Sequence, residues 1–288
     1  MLGYDFIYGG DWLSQFNMIM CDPKDEQAFV SRNIDKSDIT PTRPSPFHFG
    51  VTYADTLKLD FLIVKDDEIV DSKKLSEEEI HYLRAWLESP KKPTELIVTY
   101  DSDDSTVHYY GIFTDVQPFI VAGTCYGLYL TFQCDSPYGY SDDIVCKYYP
   151  QSVGSFSGIY YNLSAEYQEY LLPKIIIKST SSFGEGETLS IKNETHNKTM
   201  NIFLPQGISG IIVDCKKKII TDTNGNLLPL SVLGITNTDQ YTSIISLNTI
   251  YWLSLISGKN QLLFTPSNDH TIRSIEIRAK YIVKPGGF

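Results

Sequence analysis

Apolar and polar residues alternate with a period of two through much of the chain, the pattern of strands with one buried face. In "CYGLYLTFQC", Tyr126, Leu128, Leu130, Phe132 and Cys134 share one face, and Gly127, Tyr129, Thr131 and Gln133 share the other. Runs of the same kind are "LKLDFLIV" (57–64), "TELIVTY" (94–100) and "VHYYGIFTDV" (107–116). One segment breaks this rhythm. In "LSEEEIHYLRAWLESP", Ile80, Leu83 and Leu87 recur at helical spacing with Trp86 beside them, which predicts a helix over 77–89. Ser76 and Glu79 supply a capping box, Glu77 and Glu78 stand near the positive end of the helix dipole, and Pro90 ends the run.

Past residue 150 no second helix of this quality is found. The strand candidates there are 173–179, 187–193, 199–205, 210–215, 217–221, 260–265 and 273–283. In the last, Ile275, Ile277, Ala279, Tyr281 and Val283 alternate with Ser274, Glu276, Arg278, Lys280 and Ile282, which predicts one dry and one wet face. Asn224-Gly225 is the pair preferred in a type I′ hairpin, and "SGKNQ" supplies another turn. Short strands joined at regular turns read as a β-sandwich. The expected fold class is mainly β: a sandwich-like N-terminal domain with one helix, then a C-terminal β-sandwich.

The strand ending at Cys134 is followed by Pro137, which cannot donate to a ladder, and by Gly139, so "CDSPYGYS" reads as the exit from one folded unit. Charge supports a boundary there. Residues 1–146 carry 25 acids against 11 Lys/Arg, a net of −14, whereas 147–288 carry 10 against 13, a net of +3. Domains over 1–146 and 147–288 are therefore expected. No apolar run approaches the length that spans a bilayer, so a soluble chain with no membrane partner is expected. The N-terminus lacks the basic and apolar regions of a secretion signal, so synthesis and retention inside a cell are expected, and the sequons at Asn162, Asn193 and Asn197 carry no weight. The five cysteines, odd in number and without C-x-x-C spacing, read as reduced, mostly buried thiols.

Motifs for chemistry fail on their spacing. His48, His81, His108, His196 and His270 are scattered, with no H-x-x-x-H pair, so no metal site is expected. "GSFSG" has Phe156 where a nucleophile elbow needs Ser. "DSDDS" (101–105) and "DTNGN" (222–226) lack the Gly and Glu of a calcium loop and read as turns. "KKKII" (216–220) alternates into a strand within an acidic chain, which argues against nucleic-acid affinity. The 35 acids leave glycosidase chemistry open without singling out a pair. No catalytic residue and no cofactor is expected. Tyr148, Tyr149, Tyr160, Tyr161, Tyr167 and Tyr170 form an aromatic segment that could stack on sugars, touch a protein partner or pack inside.

Taken in order along the chain, these features resemble the distal tail protein family of long-tailed bacteriophages. The resemblance rests on "RPSPFHFG" (43–50), the helix "LSEEEIHYLRAWL", and Phe132, Cys134, Ser136, Pro137, Tyr138 and Tyr140 closing the N-terminal unit. It rests further on Asp214-Cys215, Gly258, Asn260 and the final strand. It implies a non-enzymatic structural protein of the virion tail tip, assembled in the host cytoplasm. The N-terminal domain would form a hexameric ring, or a pair of stacked hexamers, and a galectin-like C-terminal domain would point outward. The implied neighbours are the tail tube protein, a tail-associated hub protein and receptor-binding proteins, with DNA passing through unbound. Cys134, Ser136, Pro137, Tyr138 and Tyr140 become the interdomain hinge, and Tyr148, Tyr149, Tyr160 and Tyr161 a peripheral contact. An acidic ring domain suits that role, because basic walls would hold the duplex through counterion release. Two rivals remain: a carbohydrate-binding or sugar-cleaving sandwich explains the C-terminal half, and a general tube-forming subunit the N-terminal half.

Overall fold

Strands dominate the computed structural model, which describes residues 3–21, 30–36, 48–66, 73–100, 106–150, 154–167, 169–228, 251–267 and 272–284. In chain order they are β1 (Gly3–Tyr8), β2 (Asp11–Trp12), β3 (Met18–Cys21), β4 (Arg32–Lys36), β5 (His48–Tyr53), β6 (Lys58–Lys65), β7 (Thr94–Tyr100), β8 (Thr106–Val121), β9 (Thr124–Cys134) and β10 (Gly139–Tyr148). They continue as β11 (Phe156–Asn162), β12 (Lys174–Ser179), β13 (Thr188–Asn193), β14 (Lys198–Phe203), β15 (Gly210–Asp214), β16 (Ile219–Asp222), β17 (Gly258–Pro266) and β18 (Ile272–Val283). A 3-10 turn covers Leu13–Phe16 and the helix α1 covers Glu77–Glu88. The chain forms two compact units, Met1–Asp142 with Ile282–Phe288, and Asp143–Tyr281. It passes from the first to the second within β10 and returns within β18.

In the first unit β10-β8-β7-β1-β2 form one run of neighbours, and β8 also pairs β9, which continues through β6 to β3. The 16 residues of β8 let it serve both runs: Thr106–Gly111 pair with β7, Gly111–Val121 pair with β9, and the register shifts between Phe113 and Asp115. A Cβ on Gly111 would lie 2.1 Å from the Gln133 carbonyl oxygen, so the crossing point needs glycine. Alternation delivers the core directly, with Leu128, Leu130, Phe132 and Cys134 all buried on one face of β9. Phe6, Tyr8, Phe113 and Phe132 interlock beside them at ring distances of 4.9 to 6.1 Å.

The helix closes this core as its spacing predicts. Leu83 and Leu87 are buried, and Trp86 stacks on Phe6 at 5.8 Å while its Nε1–H donates to the Tyr8 carbonyl at 3.2 Å. The capping box is complete. The Glu79 amide donates to Ser76 Oγ at 3.2 Å, and the Ser76 amide donates to Glu79 Oε2 at 2.7 Å.

In the second unit the sheet β16-β15-β12-β18 and the four-stranded sheet β11-β17-β13-β14 enclose a second core. Ile175, Ile177, Ile211, Val213, Ile275 and Ile277 come from the first, and Leu189, Ile191, Met200, Ile202, Leu262 and Phe264 from the second.

The structure departs from the sequence pattern in four places. The lysine run 216–218 is the β15–β16 turn, with Lys218 at φ 57°, and the strand starts only at Ile219. The Asn224-Gly225 turn is not type I′, since only Gly225 has positive φ; Asp222 holds it by accepting from the Asn224 and Asn226 amides at 2.9 and 2.8 Å. On β18 the expected wet face stays partly exposed at Ser274, Arg278 and Lys280, but Glu276 on it is buried. Strands β1, β3, β4, β5, β10 and β11 form from short or irregular runs whose pattern did not announce them.

Candidate functional site

The candidate site is the set of segments expected to bend or to touch partners. Cys134 ends β9 in the core, and its buried thiol is pushed up to about 12 by desolvation and then by Asp135, which makes it inert rather than reactive. The Cys134 amide donates to Leu57 O at 2.8 Å and the Asp135 amide to Tyr110 O at 2.7 Å. Ser136 Oγ donates to the Tyr138 carbonyl at 2.7 Å, closing the turn that contains Pro137. Gly139 lies against Tyr109 and Val107 so closely that a Cβ would come within 2.8 Å of both. Tyr138 and Tyr140 meet edge-on at 5.6 Å, with Tyr53 against Tyr138 and Tyr110 against Tyr140. The structure thus brings the five expected hinge residues into one tightly bonded turn.

Beside this turn lies a polar cluster that the sequence did not announce. His108 is buried, with Nδ1 2.9 Å from Glu95 Oε1 and Nε2 2.7 Å from Asp142 Oδ1. The Tyr110 hydroxyl donates to the same Glu95 oxygen at 2.7 Å, and Thr106 Oγ1 donates to Asp142 Oδ2. Five residues on β7, β8 and β10 therefore form one network in which both nitrogens of His108 face a carboxylate. Among the described residues no cluster has the makings of a metal site. The "DSDDS" and Arg43-Pro44 motifs and His270 lie outside the described residues.

The expected peripheral tyrosines divide. Tyr149 and Tyr161 are exposed, at 56% and 55%. Tyr160 is fully buried against Tyr281 and presents no surface, and Tyr148 is half-buried against Phe264. The Tyr148 hydroxyl donates to Ile159 O at 3.0 Å and the Tyr281 hydroxyl to Tyr161 O, so two carbonyls of the edge strand β11 are capped by side chains.

The largest unannounced feature is the ribbon β4–β5, a two-stranded sheet of its own. Its register sets Ile34 opposite Val51, and both are exposed, at 58% and 57%. Asn33, Thr52 and Asp35 alternate with them on the other face, where Thr52 Oγ1 donates to Asp35 at 3.3 Å. Ile34 and Val51 share their face with Arg32 and with Tyr53, which is half-buried against Tyr138, so the ribbon leaves an aliphatic pair exposed. A second apolar end is the β8–β9 hairpin, where Ile120, Val121 and Tyr129 are exposed and Ala122-Gly123 make the turn with both φ values positive.

Residues 1–136 match the family model described as a phage tail protein N-terminal domain. The match spans most of the first unit and just under half of the chain. Over nearly its full length the chain is also similar in fold to solved phage proteins. The SPP1 Dit protein, described as a paradigm of the hub adsorption apparatus in phages infecting Gram-positive bacteria, matches with a TM-score of 0.63 at 14% identity, over 96% of this chain and 99% of that one. A chain of the phage P2 baseplate, in its activated conformation with calcium, matches at 0.51 and 10% identity over 99% of both. The strontium form of that baseplate gives 0.50 and 10% over 98% of both. No curated protein matches in sequence. The phage tail family expected from the motif order agrees with the match over residues 1–136, and the expected mainly β fold with one helix is the fold found.

Proposed function

We propose that this tail protein is a structural component of the phage tail tip whose N-terminal unit assembles into a hexameric ring, joining the tail tube to the host-adhesion apparatus and leaving a channel for DNA. The ribbon β4–β5 carries this reading. A two-stranded ribbon is marginal in water by itself, and an outward Ile34–Val51 face gains stability when another surface covers it. Ring closure uses heterologous contacts, in which one patch of each copy meets a different patch of the next. The apolar β8–β9 end offers a further surface for the tail tube or hub protein.

The net charge of −14 over residues 1–146 suits a lumen that repels phosphate, so DNA passes without binding. In this reading the C-terminal sandwich is the galectin-like outer domain and Cys134–Tyr140 is the hinge leading to it. Tyr149 and Tyr161 are then free to meet receptor-binding proteins. The role requires no cofactor and no turnover, and its place is the virion after assembly in the host cytoplasm. Light scattering and negative-stain imaging of the full chain, alone and with the tail tube protein, should show six-fold rings with outward projections. A monomer at every concentration under both conditions would sink the proposal.

A further inference from the structure

The chain leaves the first unit within β10, after Asp142. The ladder between β10 and β8 pairs Tyr140 with His108. Side chains add to that attachment: Gly139 seats against Val107 and Tyr109, Tyr140 meets Tyr110, and Asp142 reaches His108 and Thr106. The Asp142 contact depends on a proton. His108 is buried, with Nδ1 2.9 Å from Glu95 Oε1 and Nε2 2.7 Å from Asp142 Oδ1. A neutral imidazole carries one N–H, so it can donate to one of these carboxylates and must turn a lone pair toward the other. Both contacts are hydrogen bonds only when both ring nitrogens carry protons.

We propose that His108 is a proton-operated latch on this exit strand: as the imidazolium it bridges Glu95 of β7 to Asp142 of β10, and on losing a proton it releases Asp142. The titratable groups bonded around the ring, among the described residues, are the Glu95 carboxylate on β7, the Tyr110 hydroxyl on β8 and the Asp142 carboxylate on β10. One cation between two carboxylates holds the closed form together, whereas a neutral ring leaves the two acids with no charge between them. Exposure decides which bond opens. The Glu95 side chain is 39% exposed and its bonded oxygen also accepts from Tyr110 at 2.7 Å, whereas the Asp142 side chain is 66% exposed and can return to water. The neutral ring therefore keeps its proton on Nδ1 for Glu95 and turns the Nε2 lone pair toward Asp142. The latch is closed below the pH at which His108 loses its proton and opens above it. β7 and β8 stay paired from Thr94–Gly111 to Thr99–Thr106, so the opening is confined to β10.

The latch lies within one chain and does not depend on ring assembly. In full-length protein with nitrogen-15-labelled histidine, NMR reads the protonation of the His108 ring, assigned by replacing each of the five histidines singly. Hydrogen exchange read by mass spectrometry gives the protection of residues 139–142 at each pH, corrected for the pH dependence of exchange itself. That protection should fall about tenfold as His108 loses its proton, while residues 94–99 keep theirs. Asp142→Asn is the discriminating variant, because its amide N–H can donate to the neutral Nε2 while its oxygen still accepts from Thr106. In Asp142→Asn the protection should persist through the His108 titration. His108→Gln should leave the segment open at every pH, with circular dichroism as the check on its fold, and the other two series decide the matter if it does not fold. A neutral His108 ring at a pH where residues 139–142 are fully protected would overturn the latch. So would protection that ignores the titration, or an Asp142→Asn protein that opens with pH as the wild type does.

Discussion

Three buried asparagines, Asn162, Asn193 and Asn260, sit on β11, β13 and β17 and fasten the same chain segment, residues 254–256, to the second core. Asn260 does most of this. Its Oδ1 accepts from the Ile256 amide and from Asn193 Nδ2, both at 2.9 Å, while its Nδ2 donates to Ile256 O and Gly258 O at 2.8 and 3.1 Å. Asn260→Ala leaves buried backbone groups without partners and should cost about 2–3 kcal/mol, read by urea unfolding. Glu276 titrates into stability in a different way. Burial pushes its carboxyl up, but Arg278 and then Lys147 outweigh that and hold it below the usual carboxylate range. With its folded value depressed, its contribution is complete above the unfolded value of about 4.3 and disappears as pH falls through the folded value. Glu276→Gln should therefore cost about 1–2 kcal/mol at neutral pH, where the partners are half exposed, and flatten the loss of stability on the acid side. A pH series of denaturant midpoints checks both.

The helix α1 shows how one element ties local signals to tertiary packing. Its capping box belongs to the first turn alone, so Ser76→Ala should cost about 1 kcal/mol. Trp86 reaches further, stacking on Phe6 and lying 4.5 Å from Phe16 while its indole N–H satisfies the Tyr8 carbonyl. Trp86→Ala should cost about 3–4 kcal/mol through the cavity and the orphaned carbonyl. Calorimetry of the two variants should show the larger drop in Tm for the tryptophan, and the reverse order would mean that capping, not packing, holds the helix. At the edge strand β11, by contrast, the hydroxyls of Tyr148 and Tyr281 occupy carbonyls that another strand could seek. Extension of the sheet at this edge is thereby opposed.

At the scale of the whole molecule, two cores imply two units of independent stability, which we propose fold separately. The fragment must respect β10. Lys147 pairs with Glu276, and Tyr148 packs on Phe264 and bonds to Ile159. Residues 139–288 expressed alone should give a folded all-β protein, whereas a fragment from residue 150 should unfold at a lower denaturant concentration because it lacks both side chains. Equal midpoints for the two fragments would show that this strand adds nothing to the second unit.

What the sequence determined by itself was everything set at short range. The helix follows from Ser76, Glu79 and the spacing of Ile80, Leu83 and Leu87, all within three turns. The inward faces of β9 and β18 follow from alternation, which any strand obeys. The motif order was enough to point to the tail-protein family. What the tertiary structure decided was which faces become covered and which stay bare. Alternation put Glu276 on the far face of β18 beside Arg278, but its burial and its pairing with Lys147 come only with the tertiary fold. Ile34 and Val51 are 17 positions apart and each lies in a run too short to read, so their ribbon exists only once β4 and β5 pair. Local pattern fixes the direction in which a side chain points, whereas contact between distant segments fixes what it meets there.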